Sequence, residues 1–464
     1  MTVDVAIIGG GISGLATAYA LKHQGLDVVV LERQAHPGGN AQSERIGGFL
    51  MEHGPSTVNA ASVTAAGLST DLGLDASRCD LGNEVQKRYL VADGALSGIS
   101  AGPMGFLTSG YLSLSGRLRM MAEFLLPHHL DGKDETVMAF CRRRFGREFA
   151  EKVIDPMVAG LYAGNAADLS VSAVFPKLVA LEREFGSVSL GMFRRYQQGA
   201  KMPGSRLYSW REGLGSLPKA LASRLGTDIQ TGVAVQGVRR SPNGFNVNAG
   251  RAGNIETKTV VLSTQPHVAS RILDGLDDAA AAAAVEIKAP PLAVAFLGYK
   301  RNQVDHPLDG LGFLTSQSKN RVLNGAQFNS TMFPGRAPEG CVAVTGYFGG
   351  ARCPELARLP EDHLIAEARR EFQDLIGARG EPIVARVRHW PLGLPQYEIG
   401  HLERTACLRD TEKRTPGLFL TGNYFDGPSV AACLGQAEKT ASAVSAHLAI
   451  QQKQSRHKKK LKFG

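Results

Sequence analysis

The stretch VAIIGGGISGLATAYALKHQGLDVVVLER, Val5 to Arg33, decides the fold. Val3 to Ile8 is, apart from Asp4, a short run of apolar and β-branched residues, the pattern of a strand buried on both faces. Gly9, Gly11 and Gly14 follow as G-x-G-x-x-G. The spacing assigns each a duty: a tight turn, the approach of backbone to a pyrophosphate, and close packing of helix on strand. Apolar residues recur at helical spacing from Leu15 to Leu21, Gly25 ends the helix, and DVVVLE makes a second strand closing on Glu32. Strand, glycine turn, helix, strand and acid together predict an α/β dinucleotide-binding unit. Its helix N-terminus faces the phosphates, and Glu32 accepts from the ribose hydroxyls.

The bulk numbers bound what surrounds this unit. At 464 residues the chain is long enough for two or three lobes with a deep site between them. With 43% hydrophobic and 20% charged residues and a mean hydropathy of −0.10, it reads as a globular protein. The net charge of +9 is concentrated at one end. Lys453, Arg456, Lys458, Lys459, Lys460 and Lys462 stand in a tail without acids, which reads as a disordered, solvated terminus. A nucleic-acid interface is therefore not indicated. The six cysteines form no C-x-x-C pair, which argues against a zinc site or a disulfide framework and for a reducing, cytoplasmic setting. The apolar run at the N-terminus is interrupted by the glycines, so neither a signal peptide nor a spanning helix is expected there.

Downstream, residues 111–198 carry amphipathic helical spacing without strand alternation, as in SGRLRMMAEFLLP. LYSWREGLGSLPKALASRL then reads as a glycine turn and a helix, and DIQTGVAVQGVRR, GFNVNAG and TKTVVLSTQP read as strands. Six alanines, Ala279 to Ala284, predict a helix. Short strands return over Leu292 to Tyr347, as a second sheet roofing a pocket. The motif TPGLFLTGNYFDGPSVAACLGQAEKTASAVSAHL is again strand, turn and long helix, with an N-terminus suited to a phosphate or an electron-rich ring.

Gly38 and Gly39 resemble the second glycine pair of the glutathione-reductase-like flavoproteins, and GFLMEHGPSTV resembles the strand and turn that run under the flavin in those proteins. The strings FCRRRFGREFAEKVIDPMVAGLYAGNAADLSVSAVFPKLVALEREFGS, WREGLGSLPKAL, HPLDGLGFL, STMFPGRAPEG and LPQYEIGHLER extend the likeness over nearly the whole chain. On these, the chain resembles the protoporphyrinogen oxidase family within the amine oxidase and phytoene desaturase superfamily.

The resemblance implies an α/β (α+β) fold of the p-hydroxybenzoate-hydroxylase and amine-oxidase type, with a Rossmann FAD domain, a mixed-sheet substrate domain and a helical insert. The implied divisions are 1–85, 205–285 and 400–450 for FAD; 86–104 and 286–399 for substrate; 105–204 for the insert; and 451–464 for the tail. It implies non-covalent FAD held by Gly9, Gly11, Ile12, Ser13, Gly14, Glu32, Arg33, Gly38, Gly39, Asn40, Gly54, Pro55, Val235, Trp390, Gly422, Asn423 and Val430. No cysteine occupies TGNYFDGPSV to form a thioether.

The implied reaction oxidises protoporphyrinogen IX to protoporphyrin IX by six electrons, with molecular oxygen as acceptor. Coproporphyrinogen III oxidation and oxidation of an amine or specialised metabolite are the alternatives. Arg88 is the implied propionate partner, Gly160 the backbone wall of the pocket, and Leu314 an aliphatic contact with the macrocycle. Gln327 and Asn324 stand where leucines are usual, and Ala431 and Ala432 replace a common Asn-Asp pair. The two polar residues either turn away from the pocket or meet a more polar substrate. No acid–base residue is required, and His53, His389 and His401 read as structural. Part of 104–127 is implied as a peripheral membrane contact at the inner face of the membrane. Assembly as a homodimer is left open.

Overall fold

In the computed structural model, residues 2–92, 94–100, 105, 109–127, 132–198, 206–316 and 321–463 are described, and they organise around two seven-stranded sheets. The first sheet grows from the opening motif. Thr2–Ile8 pairs in parallel with Val28–Leu31 on one side and Asn254–Leu262 on the other. Leu418–Leu420 and Ile229–Gln230 join in parallel, and an antiparallel hairpin, Gly237–Ser241 with Gly244–Asn248, closes one edge.

The apolar run Val5 to Ile8 of the first strand now has its reason, and Asp4 before it stays partly exposed and pairs with Lys258. Val5 and Ile7 enter the core beneath the helices Ile12–His23 and Val430–Phe463, while Ala6 and Ile8 enter the core beneath Pro266–Leu273 and the alanine helix Asp278–Val285. A strand covered by helices on both faces has no polar side to show.

The second sheet, the pocket sheet, has the strand order Val384–Trp390, Leu292–Lys300, Cys341–Gly349, Leu323–Gln327, Gly310–Leu314, Lys87–Ala92 and Ala95–Ser100. One face is sealed by the helix Glu361–Ile376, whose Leu364, Ala368 and Phe372 pack on Phe313, Phe328 and Val344. Because side chains alternate across a pleat, the other face carries Arg88, Leu314, Gln327, Tyr347, Val294 and Trp390, matched strand to strand by register.

Between these sheets in sequence, the described residues from Leu114 to Gln197 form helices and no strand. Their lobe is pinned by a fully buried Glu123–Arg144 ion pair. The Glu123 carboxylate also accepts from Ser187 Oγ (2.6 Å) and from the backbone N–H groups of Val188 and Ser189 (both 3.0 Å), so it caps the helix Val188–Gln197. Those bonds hold its pKa down against the burial that opposes them.

One expectation is corrected. The basic segment 451–464, read as disordered, continues the closing helix through Phe463. Gln, Lys and Arg are good helix formers, and lengthening a helix already docked on the first sheet needs no new nucleus. Of the 104–127 stretch, residues 104 and 106–108 lie outside the described residues.

Candidate active site

The glycine turn is built as the spacing predicts. Gly9 adopts φ +107°, and a Cβ on it would collide with the Ser263 carbonyl. A Cβ on Gly14 would collide with the Gly9 carbonyl, so this glycine sets how closely the helix approaches the strand. Gly11 differs, because a Cβ there meets nothing within 4 Å. Its neighbourhood is an opening bounded by Gly39, whose own Cβ would lie 3.2 Å from Gly11 Cα. Gly38 N–H donates to the Gly10 carbonyl at 2.7 Å, bringing the two glycine turns together around that opening.

Glu32 is nearly buried, and its carboxylate accepts from Gly10 N–H and Gln34 N–H, both at 2.7 Å. The remaining lone pairs are those a ribose would use. The Glu32 carbonyl accepts from Val233 N–H at 2.8 Å, which brings the segment carrying Val235 beside the acid. Ile12 and Ser13 open the helix, while Arg33 is exposed just beyond the second strand.

The second glycine turn leads toward the pocket. A Cβ on Gly54 would lie 2.5 Å from the Asn40 carbonyl, so Asn40, Gly54 and Pro55 form one tight crossing. From this crossing Ser56 Oγ donates to Gln327 Oε1 at 3.0 Å, and Tyr347 OH donates to the same oxygen at 3.0 Å. Burial raises the Tyr347 phenol, keeping it protonated as a donor. Trp390 Nε1 donates to the His53 carbonyl at 2.6 Å, and the Arg388 guanidinium lies 4.5 Å from the centre of the Trp390 ring. The first sheet's loops are thus stitched to the open face of the pocket sheet.

That face gathers the predicted substrate residues. Leu314 pairs in register with Leu90, and Arg88 lies one pleat repeat from Leu90 on the same side. Gly160, in the helix Asp155–Tyr162, lies against Leu314 so closely that a Cβ on it would strike the leucine methyl. Gln327 completes the row two residues from Gly325, the register partner of Leu314. Asn324 leaves it. The register slips between Leu323 and Gly325, and Asn324 Nδ2 turns to donate to the Gly349 carbonyl at 2.9 Å. Of the two polar departures, only Gln327 lies on the sheet face that carries Leu314 and Arg88.

The third side comes from the C-terminal motif. Gly422 has φ +148°, and the closing helix begins at Val430, where Ser429 Oγ accepts from Ala432 N–H at 3.2 Å. This helix packs on Ile12–His23 through one core, and Cys433 lies beside Ser13, so the two helix N-termini converge on the glycine opening. Ala431 and Ala432 sit in that first turn. The Asn423 carbonyl accepts from Tyr397 OH at 2.6 Å, and the Tyr424 carbonyl from His401 Nε2 at 2.8 Å. His53 reaches Glu44 (3.0 Å) and His389 the Ala357 carbonyl (2.9 Å), so each of the three histidines is engaged by its surroundings.

The residues fit FAD. Two glycine turns leave open space beside Gly11, an anchored acid sits at its ribose end, and two helix N-termini converge at its phosphate end. Around it Thr264 Oγ1, Thr421 Oγ1 and His53 Nδ1 are buried without hydrogen-bond partners among the described residues. Sequence reasoning missed Ser56 and Tyr347. Ser56 stood beside the quoted Gly54 and Pro55, whereas Tyr347 became visible only through strand register.

Residues 12–445 match the model of the flavin containing amine oxidoreductases. Over 97% of its length the chain is 32% identical to the chloroplastic protoporphyrinogen oxidase of Oryza sativa, covering 89% of that protein. It is 27% identical to the coproporphyrinogen III oxidase of Bacillus subtilis, covering 96% of this chain and 98% of that one. A solved chain from an Exiguobacterium species superposes with a TM-score of 0.83 at 22% identity, covering 96% and 99% of the two chains, which shows a shared fold. The chain belongs to the flavin containing amine oxidoreductase family, and within it to the protoporphyrinogen oxidases. It is an FAD-dependent oxidoreductase, as the resemblance implied.

Proposed function

We propose that the chain oxidises protoporphyrinogen IX to protoporphyrin IX, with molecular oxygen as final acceptor. One observation carries the reading: a single open sheet face presents Leu314 against Gly160, with Arg88 on the same side as a cation for a carboxylate. A largely apolar macrocycle with propionates at one edge has that pattern of needs. Non-covalently bound FAD supplies a two-electron acceptor that oxygen restores.

The chain's own residues do the rest. Arg88 binds a propionate, and Leu314 and the Gly160 backbone hold the ring plane. Gln327, fixed by Ser56 and Tyr347, offers its amide N–H groups where the pocket meets the cofactor turn. The stitched loops exclude bulk water so that a meso carbon is presented without competing solvent. Three two-electron rounds consume three oxygen molecules and release three of hydrogen peroxide.

Coproporphyrinogen III is the second reading, favoured by the Bacillus relative, and it would ask for further cations at the pocket rim. We place the protein in the cytoplasm, docked on the inner face of a membrane. Leu114, Leu118, Met121, Phe124 and Leu125 on consecutive helical turns, with Phe193 and Tyr196 on a neighbouring helix, each expose more than half of their surface. They are interspersed with Arg117, Arg194 and Arg195, while Arg119 turns inward to the Arg143 and Arg144 carbonyls, and this composition supports contact with an anionic lipid surface. No helix of the described residues is long and apolar enough to cross a membrane.

An aerobic assay with each porphyrinogen, following porphyrin fluorescence and peroxide together, tests the function. Faster porphyrin formation from protoporphyrinogen, with three peroxides for each porphyrin, is expected. Porphyrin formation from neither substrate overturns the proposal.

A further inference from the structure

The motif LPQYEIGH is not used by the reaction as described, yet its side chains reach two walls of the site, the helix that carries Gly160 and the turn after Gly422. Gln396 is almost fully buried, and its Nε2 donates to the Tyr162 carbonyl at 3.0 Å, at the C-terminal end of the helix that carries Gly160. That helix turns out through Ala163, which has φ +49°, and a Cβ on the next residue, Gly164, would lie 2.7 Å from Gln396 Oε1. The amide therefore fills a space that only glycine leaves open. The other end of the helix is held by Arg352, which donates to the Asp155 carbonyl at 2.7 Å.

Next to Gln396, Tyr397 OH donates to the Asn423 carbonyl, and its ring stacks on His401 with centroids 4.1 Å apart and planes 15° apart. His401 Nε2 in turn meets the Tyr424 carbonyl. Two consecutive carbonyls directly after Gly422 are thus held by two stacked rings. The backbone of the motif is anchored independently, with Gln396 N–H donating to the Lys288 carbonyl (2.8 Å) and Ser170 N–H donating to the Tyr397 carbonyl (2.8 Å).

We infer that Gln396, Tyr397 and His401 are positioning residues that form one strap. Gln396 sets the substrate wall through the Gly160 helix, and the Tyr397–His401 pair sets the cofactor wall through Asn423 and Tyr424. Adjacent side chains on one rigid segment fix the spacing between the two walls, and hence how closely substrate approaches cofactor. A displacement of about 1 Å at such a wall is enough to slow a reaction that depends on close approach. The substrate half rests on the porphyrinogen reading above; the cofactor half does not.

The test separates the two halves in the full-length holoprotein. Tyr397→Phe keeps the stack and deletes the bond to Asn423. It should weaken FAD binding about tenfold and shift the visible flavin band, with KM for porphyrinogen unchanged at saturating FAD, the loss of one strong hydrogen bond. His401→Gln retains a donor where Nε2 stands, while His401→Leu does not, so the glutamine variant should keep FAD affinity within about threefold of the parent and the leucine variant should lose it. Gln396→Leu should raise KM about tenfold and leave FAD affinity unchanged.

A general loss of stability would move FAD affinity and KM together in all four variants, and that result overturns the strap. Equal FAD affinity in His401→Gln and His401→Leu overturns it as well. If the parent protein oxidises no porphyrinogen, the functional reading fails, while the glutamine and leucine pair still decides the cofactor half by flavin binding alone.

Discussion

Gly11→Ala and Gly14→Ala should fail for opposite reasons. The Gly14 methyl would be driven into the Gly9 carbonyl, a backbone atom that cannot rotate away, with Ser263 Oγ a further 3.1 Å contact. The helix must retreat by roughly an ångström, an overpacking cost of about 1–3 kcal/mol that the protein bears even without cofactor. The Gly11 methyl meets no protein atom within 4 Å, and its φ of −74° suits alanine. The apoprotein should therefore be unchanged, or gain up to about 1 kcal/mol from a stiffer unfolded chain.

The same methyl projects into the open space between the glycine turns, where the backbone would meet the pyrophosphate. Displacing a pyrophosphate there breaks about two charge-assisted bonds, about 3 kcal/mol or roughly 100-fold in FAD affinity. Urea unfolding of the apoproteins and FAD titration followed by flavin fluorescence separate the two effects. If both variants lose apoprotein stability equally, or if Gly11→Ala binds FAD normally, the assignment of this opening to the cofactor is wrong.

Three further outcomes follow from the same geometry. Burial pushes the His401 imidazole down to about 4 from 6.5, against the pull of its bond to the Tyr424 carbonyl. Its neutral form is favoured in the folded state, so about 3 kcal/mol of stability present above pH 6.5 is lost as pH falls toward 4. His401→Gln should flatten that slope in urea melts, and an unchanged slope would reject the burial argument. Gln327→Leu removes the shared acceptor of Ser56 and Tyr347, and the stranded hydroxyls should cost about 1–3 kcal/mol, visible as a lower thermal midpoint. No loss would mean that water replaces the amide fully. Arg88→Ala should raise KM for a porphyrinogen about tenfold with kcat little changed, as expected for a carboxylate grip lost equally from ground and transition states. An unchanged KM would remove Arg88 from the site.

What could be read in the sequence was whatever local chemistry dictates. Gly9, Gly14, Gly38 and Glu32 stand within one short strand-turn-helix-strand-turn segment whose spacing is a local signal, and the double burial of Val5 to Ile8 was written in its lack of alternation. What could not be read depends on pairing between distant strands. Asn324 and Gln327 are three residues apart and looked alike, yet a register slip sends one to the Gly349 carbonyl and leaves the other beside Ser56. Tyr347 joins them only because its strand lies antiparallel to Leu323–Gln327. The tail misled for a related reason. Its charge pattern argued for disorder, but the helix leading into it is docked along Ile12–His23, and that docking is invisible to composition.

The central claim is that this flavoprotein takes electrons from a porphyrinogen. Mixing the anaerobic, FAD-loaded protein with protoporphyrinogen IX, and separately with coproporphyrinogen III, while following the flavin absorbance tests it most directly. Prompt bleaching by protoporphyrinogen IX, faster than by coproporphyrinogen III and reversed on admitting oxygen, is the predicted result. A flavin that stays oxidised with both would contradict the account.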